Sequence, residues 1–134
     1  MSGVYVIRYL LANAAAVTAV VPVTRIKNGV IPLNTTLPAI SVTQISSVPY
    51  NTIRINETPK MHTDRVQVTC LSTDYAQIKS LLALVLAACP SQCGTVNSVS
   101  VDSITPESEG PDLYDQATNI HEGSRDFIVK WLKS

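Results

Sequence analysis

The sequence predicts an α+β fold: a mostly antiparallel or mixed sheet of four to five strands with two helices packed on one of its faces. Three observations lead there. Two stretches, Ile7 to Val21 and Tyr75 to Cys89, carry apolar residues at the three-to-four-residue spacing of an amphipathic helix, and each stops at a proline, Pro22 and Pro90. The remaining apolar segments are short, rich in β-branched residues and partly alternating. They follow one another largely without crossover helices, which favours antiparallel or mixed pairing over a parallel sheet. At 134 residues the chain is expected to form one domain over residues 1–134, long enough to bury a core.

In the first helix Ser2 is a candidate cap, and Ile7, Leu10, Leu11, Ala14, Val17 and Val21 fall on one face. A brief strand is expected over Val23 to Ile26, followed by a turn at Asn28-Gly29 and Pro32. Ala39 to Val48 reads as a second strand, with Ile40, Val42, Gln44, Ser46 and Val48 on one side and Ser41, Thr43, Ile45 and Ser47 on the other. Apolar groups on both sides suit a strand whose outer face is covered by another chain. Pro49 to Thr63 is polar and mixed, a loop or a long irregular hairpin tip. Arg65 to Leu71 alternates cleanly, with Val66, Val68 and Cys70 inward.

Thr73 or Asp74 then caps a second helix with a stripe of Tyr75, Ile78, Leu82, Val85 and Cys89. Leu81, Leu84 and Ala88 lie off that stripe, so this helix should touch a second layer or a neighbouring subunit. Val96 to Ile104 is the fourth strand, Pro106 to Asn119 an exposed acidic loop, and Ser124 to Leu132 the closing strand with Phe127, Val129 and Trp131 inward. The apolar stretch Val4 to Val23 is read as a core helix and not as an export signal or membrane span. No positive cluster precedes it, and Arg8 and Asn13 interrupt it.

Composition narrows function. A hydrophobic fraction of 46% against 15% charged residues describes a folding chain and excludes a disordered one. Ten basic and ten acidic side chains sum to a formal net charge of zero, and no run of Lys or Arg could neutralise a row of phosphates. Direct nucleic-acid recognition is not expected. Few charges and no net charge leave little repulsion between copies, which favours self-association.

The candidate catalytic and metal-binding residues do not form a constellation. Cys89 and Cys93 are three residues apart without a second pair at zinc-site spacing, and Cys70, Cys89 and Cys93 are read as free thiols. His62 and His121 are expected in loop or strand-edge positions as solvated side chains. Glu107, Glu109, Asp112 and Asp115 lack the spacing of a calcium loop, and the isolated glycines make no phosphate cradle. No catalytic residue, metal ligand or cofactor is assigned, so the chain reads as a non-enzyme.

The order of segments resembles the tail-completion or tail-terminator proteins of bacteriophages with long non-contractile tails. The phrases that carry the likeness are Leu11-Ala12-Asn13-Ala14-Ala15-Ala16-Val17-Thr18-Ala19-Val20, Arg25-Ile26 with Gly29-Val30 and Pro32, and Leu37-Pro38-Ala39-Ile40 opening a strand that ends near Ile45-Ser46. They continue with Asp64-Arg65-Val66-Gln67-Val68, Ser72-Thr73-Asp74-Tyr75-Ala76 and Arg125-Asp126-Phe127, spanning almost the whole chain. The Cys89 to Gly94 turn and the length of the acidic loop do not match the family pattern.

The resemblance implies a structural virion protein, assembled in the host cytoplasm and located in the tail. Its subunits would form a homohexameric ring on the last ring of the tail tube, end tube polymerisation and present the head–tail joining surface. Its implied partners are other copies of itself, the tail tube protein and the head–tail connector or neck proteins, with no membrane; DNA would pass through the ring without being recognised. The two long polar excursions would then contribute the subunit or tube interface, through Tyr50, Asn51, Arg54, Lys60 and Arg65 on one side and Glu107, Glu109 and Asp112 on the other. The alternatives are a head-side neck or stopper (head-completion) subunit, a thiol-dependent enzyme or regulator using Cys70, Cys89 or His62, and a non-viral adaptor that binds a peptide along a sheet edge.

Overall fold

The computed structural model describes residues 2–29, 31–32, 36–49, 61–90, 94–96 and 99–132. Helix α1 (Ser2–Ala12) opens the chain, followed by the short α2 (Ala15–Thr18) and a 3-10 turn at Val23–Arg25. Strands β1 (Ile26–Asn28), β2 (Ala39–Pro49) and β3 (Met61–Ser72) precede helix α3 (Tyr75–Ala88). Strands β4 (Gly94–Val96), β5 (Val99–Glu109), β6 (Leu113–Asp115) and β7 (Ile120–Leu132) complete the order. The seven strands form one sheet, β1-β2-β3-β7-β5-β4, with β6 beside β7. Among the described strands only β1 and β2 pair in parallel, so the sheet is mixed.

The expected α+β class stands, while the element count needs correction. Among the described residues seven strands replace four to five, and three α-helices replace two. The additional strands β4 and β6, like the displaced β1, have three residues each, too short to show a period of two. Val23 to Arg25 is a 3-10 turn closed by Arg25 N–H to Pro22 O at 2.8 Å, and the strand expected there starts only at Ile26. Helix one is broken at Asn13, whose side-chain amide and backbone N–H both donate to Tyr9 O, at 2.8 and 3.1 Å. Ala14 is extended, yet Ile7, Leu11, Val17 and Val21 are all buried, so the helical stripe persists through the break.

Strands β2 and β3 run to Pro49 and from Met61, where Val48 faces Thr63 and Pro49 faces His62, so both ends of the expected loop are strand. Half of the expected acidic loop is strand: β5 continues through Glu109, and β6 pairs with β7 from Leu113↔Glu122 to Asp115↔Ile120. The Asp115 carboxylate accepts from Ala117 N–H at 3.0 Å, and Asn119 takes a φ of 56°, the left-handed turn conformation asparagine tolerates.

Both long helices lie on one face. On β3, Asp64, Val66, Val68, Cys70 and Ser72 alternate inward; α1 reaches this face at Asp64, and α3 packs where Cys70 pairs with Gly123. A Cβ on Gly123 would stand 2.6 Å from Ile78 and 3.1 Å from Leu82, so the bare backbone lets α3 settle onto β7. Phe127, Ile7, Leu11, Ile40, Ile104 and Leu82 are among the largest buried side chains; each such burial contributes about 1.5–3 kcal/mol relative to exposure.

Candidate interaction surface

The described residues contain no group of three or more His, Cys, Asp or Glu placed to hold a metal ion. Cys70 and Cys89 are free and buried, and burial pushes both thiols up to about 12. They are held as thiols, the unreactive form. Cys93 lies outside the described residues.

The densest polar arrangement on the surface joins the start of α3 to the β5–β6 connection. Asp74 caps α3 by accepting from Ala76 N–H at 3.1 Å, which fixes the first turn and projects Tyr75 and, one turn later, Lys79. The Tyr75 hydroxyl donates to one Asp112 carboxylate oxygen at 2.8 Å, and the Lys79 ammonium reaches the other at 2.8 Å. Lys79 also stands 3.7 Å from Glu109, which lies 3.9 Å from Arg125. The Lys79 hydrogen bond, followed by that of Tyr75, lowers the Asp112 carboxyl from its ordinary value. The same carboxylate raises Lys79 and Tyr75.

Beside this cluster the rings of Tyr75 and Tyr114 enclose His121, with centroids 5.8 and 4.5 Å away, and the Tyr114 hydroxyl donates to Asn119 Oδ1 at 2.6 Å. Tyr75, Leu113 and Tyr114 remain 46%, 53% and 48% exposed. An open groove of about 270 Å³, lined by Leu71, Leu113, Tyr114, Thr118 and Ile120 among others, adjoins them. Exposed aromatic and apolar groups ringed by charge have the composition of an interface centre with its rim.

At the opposite end of the long strands, Trp131 Nε1–H donates to the buried Asp64 carboxylate at 2.8 Å and its ring stacks on His62, centroids 4.5 Å apart. Ile45 and Val48 of β2 are 51% and 58% exposed there. The register shifts between Gln44 and Ser46, so the simple alternation expected for β2 fails at Ile45. Beyond it Ser47 bonds Asp64 on the helix face, and Ser46 and Val48 lie on the other face.

The two histidines are therefore not merely solvated loop residues: each sits on a long strand of the sheet against an aromatic ring. Tyr75, expected in the buried stripe of α3, faces outward. Of the expected interface residues, Tyr50, Asn51, Arg54 and Lys60 lie outside the described residues. Arg65 grips Asp126 of its own chain, with Nε at 2.9 Å and a second nitrogen at 2.7 Å. Glu109 and Asp112 converge on Lys79, whereas Glu107 is exposed on β5. Reasoning from sequence missed Lys79, Tyr114 and Arg125. The signal for Tyr114 was available in Asp115 to Asn119, a turn sequence between apolar Leu113-Tyr114 and Ile120.

The family described as Tail completion protein gp17 matches residues 6–130. A search of curated proteins by sequence finds no match. Among solved structures, a chain from the virion of a native gene transfer agent particle aligns with a TM-score of 0.69 at 11% identity, covering 96% of this chain and 93% of that one. A second solved structure aligns with a TM-score of 0.55 at 10% identity, covering 100% of this chain and 96% of the other. At these identities both show likeness of fold.

Proposed function

The chain belongs to the Tail completion protein gp17 family, and from that membership we propose that it caps the head-proximal end of a phage tail tube as a ring. In this reading the ring ends tube polymerisation and forms the head–tail joining surface. The protein is a structural component of the virion, assembled in the host cytoplasm, and it does this work by contact and without catalysis. Its 134 residues act as one domain.

The observation that carries the reading is the family match over residues 6–130, which spans α3 and six of the seven described strands completely and most of α1 and β7. The exposed group of Tyr75, Leu113 and Tyr114 supports it, because a chain of zero net charge that shows aromatic surface is suited to pack against protein. A closed ring needs two different complementary patches on each subunit. Arg65, Glu107, Glu109 and Asp112, with Tyr50, Asn51, Arg54 and Lys60, are the proposed contacts to a neighbouring subunit or the tube. The partners are further copies of the chain, the tail tube protein and the head–tail connector or neck proteins.

Negative-stain microscopy of the protein mixed with assembled tail tubes tests the reading. A ring of about six subunits at one end of each tube is the expected result. Binding to the isolated portal with bare tubes would replace it with a head-side neck or stopper role.

A further inference from the structure

The zero net charge conceals a separation that only the sheet order makes visible. No acidic residue precedes Glu57, whereas residues 99–132 carry seven carboxylates against Arg125 and Lys130. The sheet places β1 at one margin and β5 toward the other, with β7 and its Glu122 and Asp126 between them. At the β1 margin stand Arg25 and Lys27, and Arg8 joins them by donating from Nε to Ile26 O at 3.1 Å. Along β5 stand Asp102 and Glu107, both exposed.

Four strand ladders separate the margins, about 19 Å along the sheet at the usual spacing. That exceeds contact range and the roughly 8 Å over which salt screens exposed charges at physiological strength. Among the described residues Arg25, Lys27, Asp102 and Glu107 have no ion-pair partner.

We infer that the β1 margin of one copy docks against the β5 margin of the next, with Arg25 and Lys27 facing Asp102 and Glu107. The inference rests on the ring reading and names the two patches that such a ring requires. A second copy is the occupant because the chain carries both halves of the charge complement on separate surfaces, the condition for a head-to-tail contact. The contact is made by side chains and not by extending the sheet. Strand β1 is three residues long, and β5 carries Pro106 and shifts register between Val101 and Ser103 and again between Pro106 and Glu109. Val23, 42% exposed beside Arg25, supplies apolar contact at the same margin.

Complementary charge reversal tests this. One variant carries Arg25→Glu and Lys27→Glu, the other Asp102→Lys and Glu107→Lys; assembly is followed by light scattering and native mass spectrometry, alone and on tail tubes. Each variant alone should need at least about tenfold more protein to assemble than the wild type, because like charges then meet at every contact. An equimolar mixture should recover rings in which the variants alternate. If a double variant fails to fold by circular dichroism, Lys27→Glu and Glu107→Lys take their places. Rings from either folded variant at wild-type concentration, or no recovery in the mixture, would overturn the inference while leaving the ring reading intact. A wild-type chain that forms no ring alone or on tubes would overturn both.

Discussion

The backbone N–H of Gly3 donates to the Asp64 carboxylate at 3.0 Å, so a residue 61 positions away closes the first turn of α1. Asp64 is 0% exposed and also accepts from Trp131 Nε1 and from the Ser47 hydroxyl, which ties α1, β2, β3 and β7 together at one carboxylate. The negative charge lies at the positive end of the helix, where the free amides and the helix dipole stabilise it.

Asp64→Ala should therefore lower unfolding free energy by about 3 kcal/mol, since it leaves buried donors without an acceptor. Gly3→Ala should cost about 1–3 kcal/mol for a different reason, because its Cβ would stand 2.8 Å from that of Asp64. Urea denaturation measures both. A change below about 0.5 kcal/mol in Asp64→Ala would show that the carboxylate does not organise this end of the fold.

Gly123→Ala should push α3 off the sheet, as the new methyl would lie 2.6 Å from Ile78. The expected loss is about 1–3 kcal/mol, with partial recovery when Ile78→Leu, which lacks the Cγ2 methyl that meets the new Cβ, is added. Equal losses in the single and double variants would mean that the close approach is not the cause.

Cys70 and Cys89 should resist iodoacetamide in the native protein and react once it is unfolded, as peptide mass spectrometry would record. Their folded values of about 12 lie above the ordinary 9.0, so between these limits the native state keeps protons that the unfolded state has released. The stabilisation is fully present below pH 9.0 and is lost as pH rises toward 12, at about 1.4 kcal/mol per pH unit for each thiol. A Cys70→Ala/Cys89→Ala variant with the same alkaline slope would refute this origin.

The Asp112 carboxyl should titrate below a solvated aspartate in a carbon-detected NMR experiment, and Lys79→Met should move its midpoint upward. Because the folded value is depressed, any stabilisation from this contact exists above the ordinary carboxylate range and disappears as pH falls through the depressed one. A midpoint that ignores Lys79→Met would assign the shift to some other group.

The amino-acid sequence by itself determined the α+β class, the inward faces of β3 and β7, the buried stripe from Ile7 to Val21 and the cap at Asp74. These are local: a period of two or of three to four, or a side chain that reaches its own backbone, is visible within one segment. The family resemblance was legible for a similar reason, in short phrases distributed along the chain. Tertiary structure alone decided the rest. Three-residue strands are stabilised by a neighbour and carry no period of their own, and the shift at Ile45 is a matter of register between two strands. The partners of Asp64, Asp112 and Arg65 lie 61, 37 and 61 positions away for Gly3, Tyr75 and Asp126. Charge followed the same division: composition fixed the total at zero, but the order of strands decided that Arg25 and Lys27 stand at one margin and Asp102 and Glu107 toward the other, because electrostatic complementarity depends on distance in space and not along the chain.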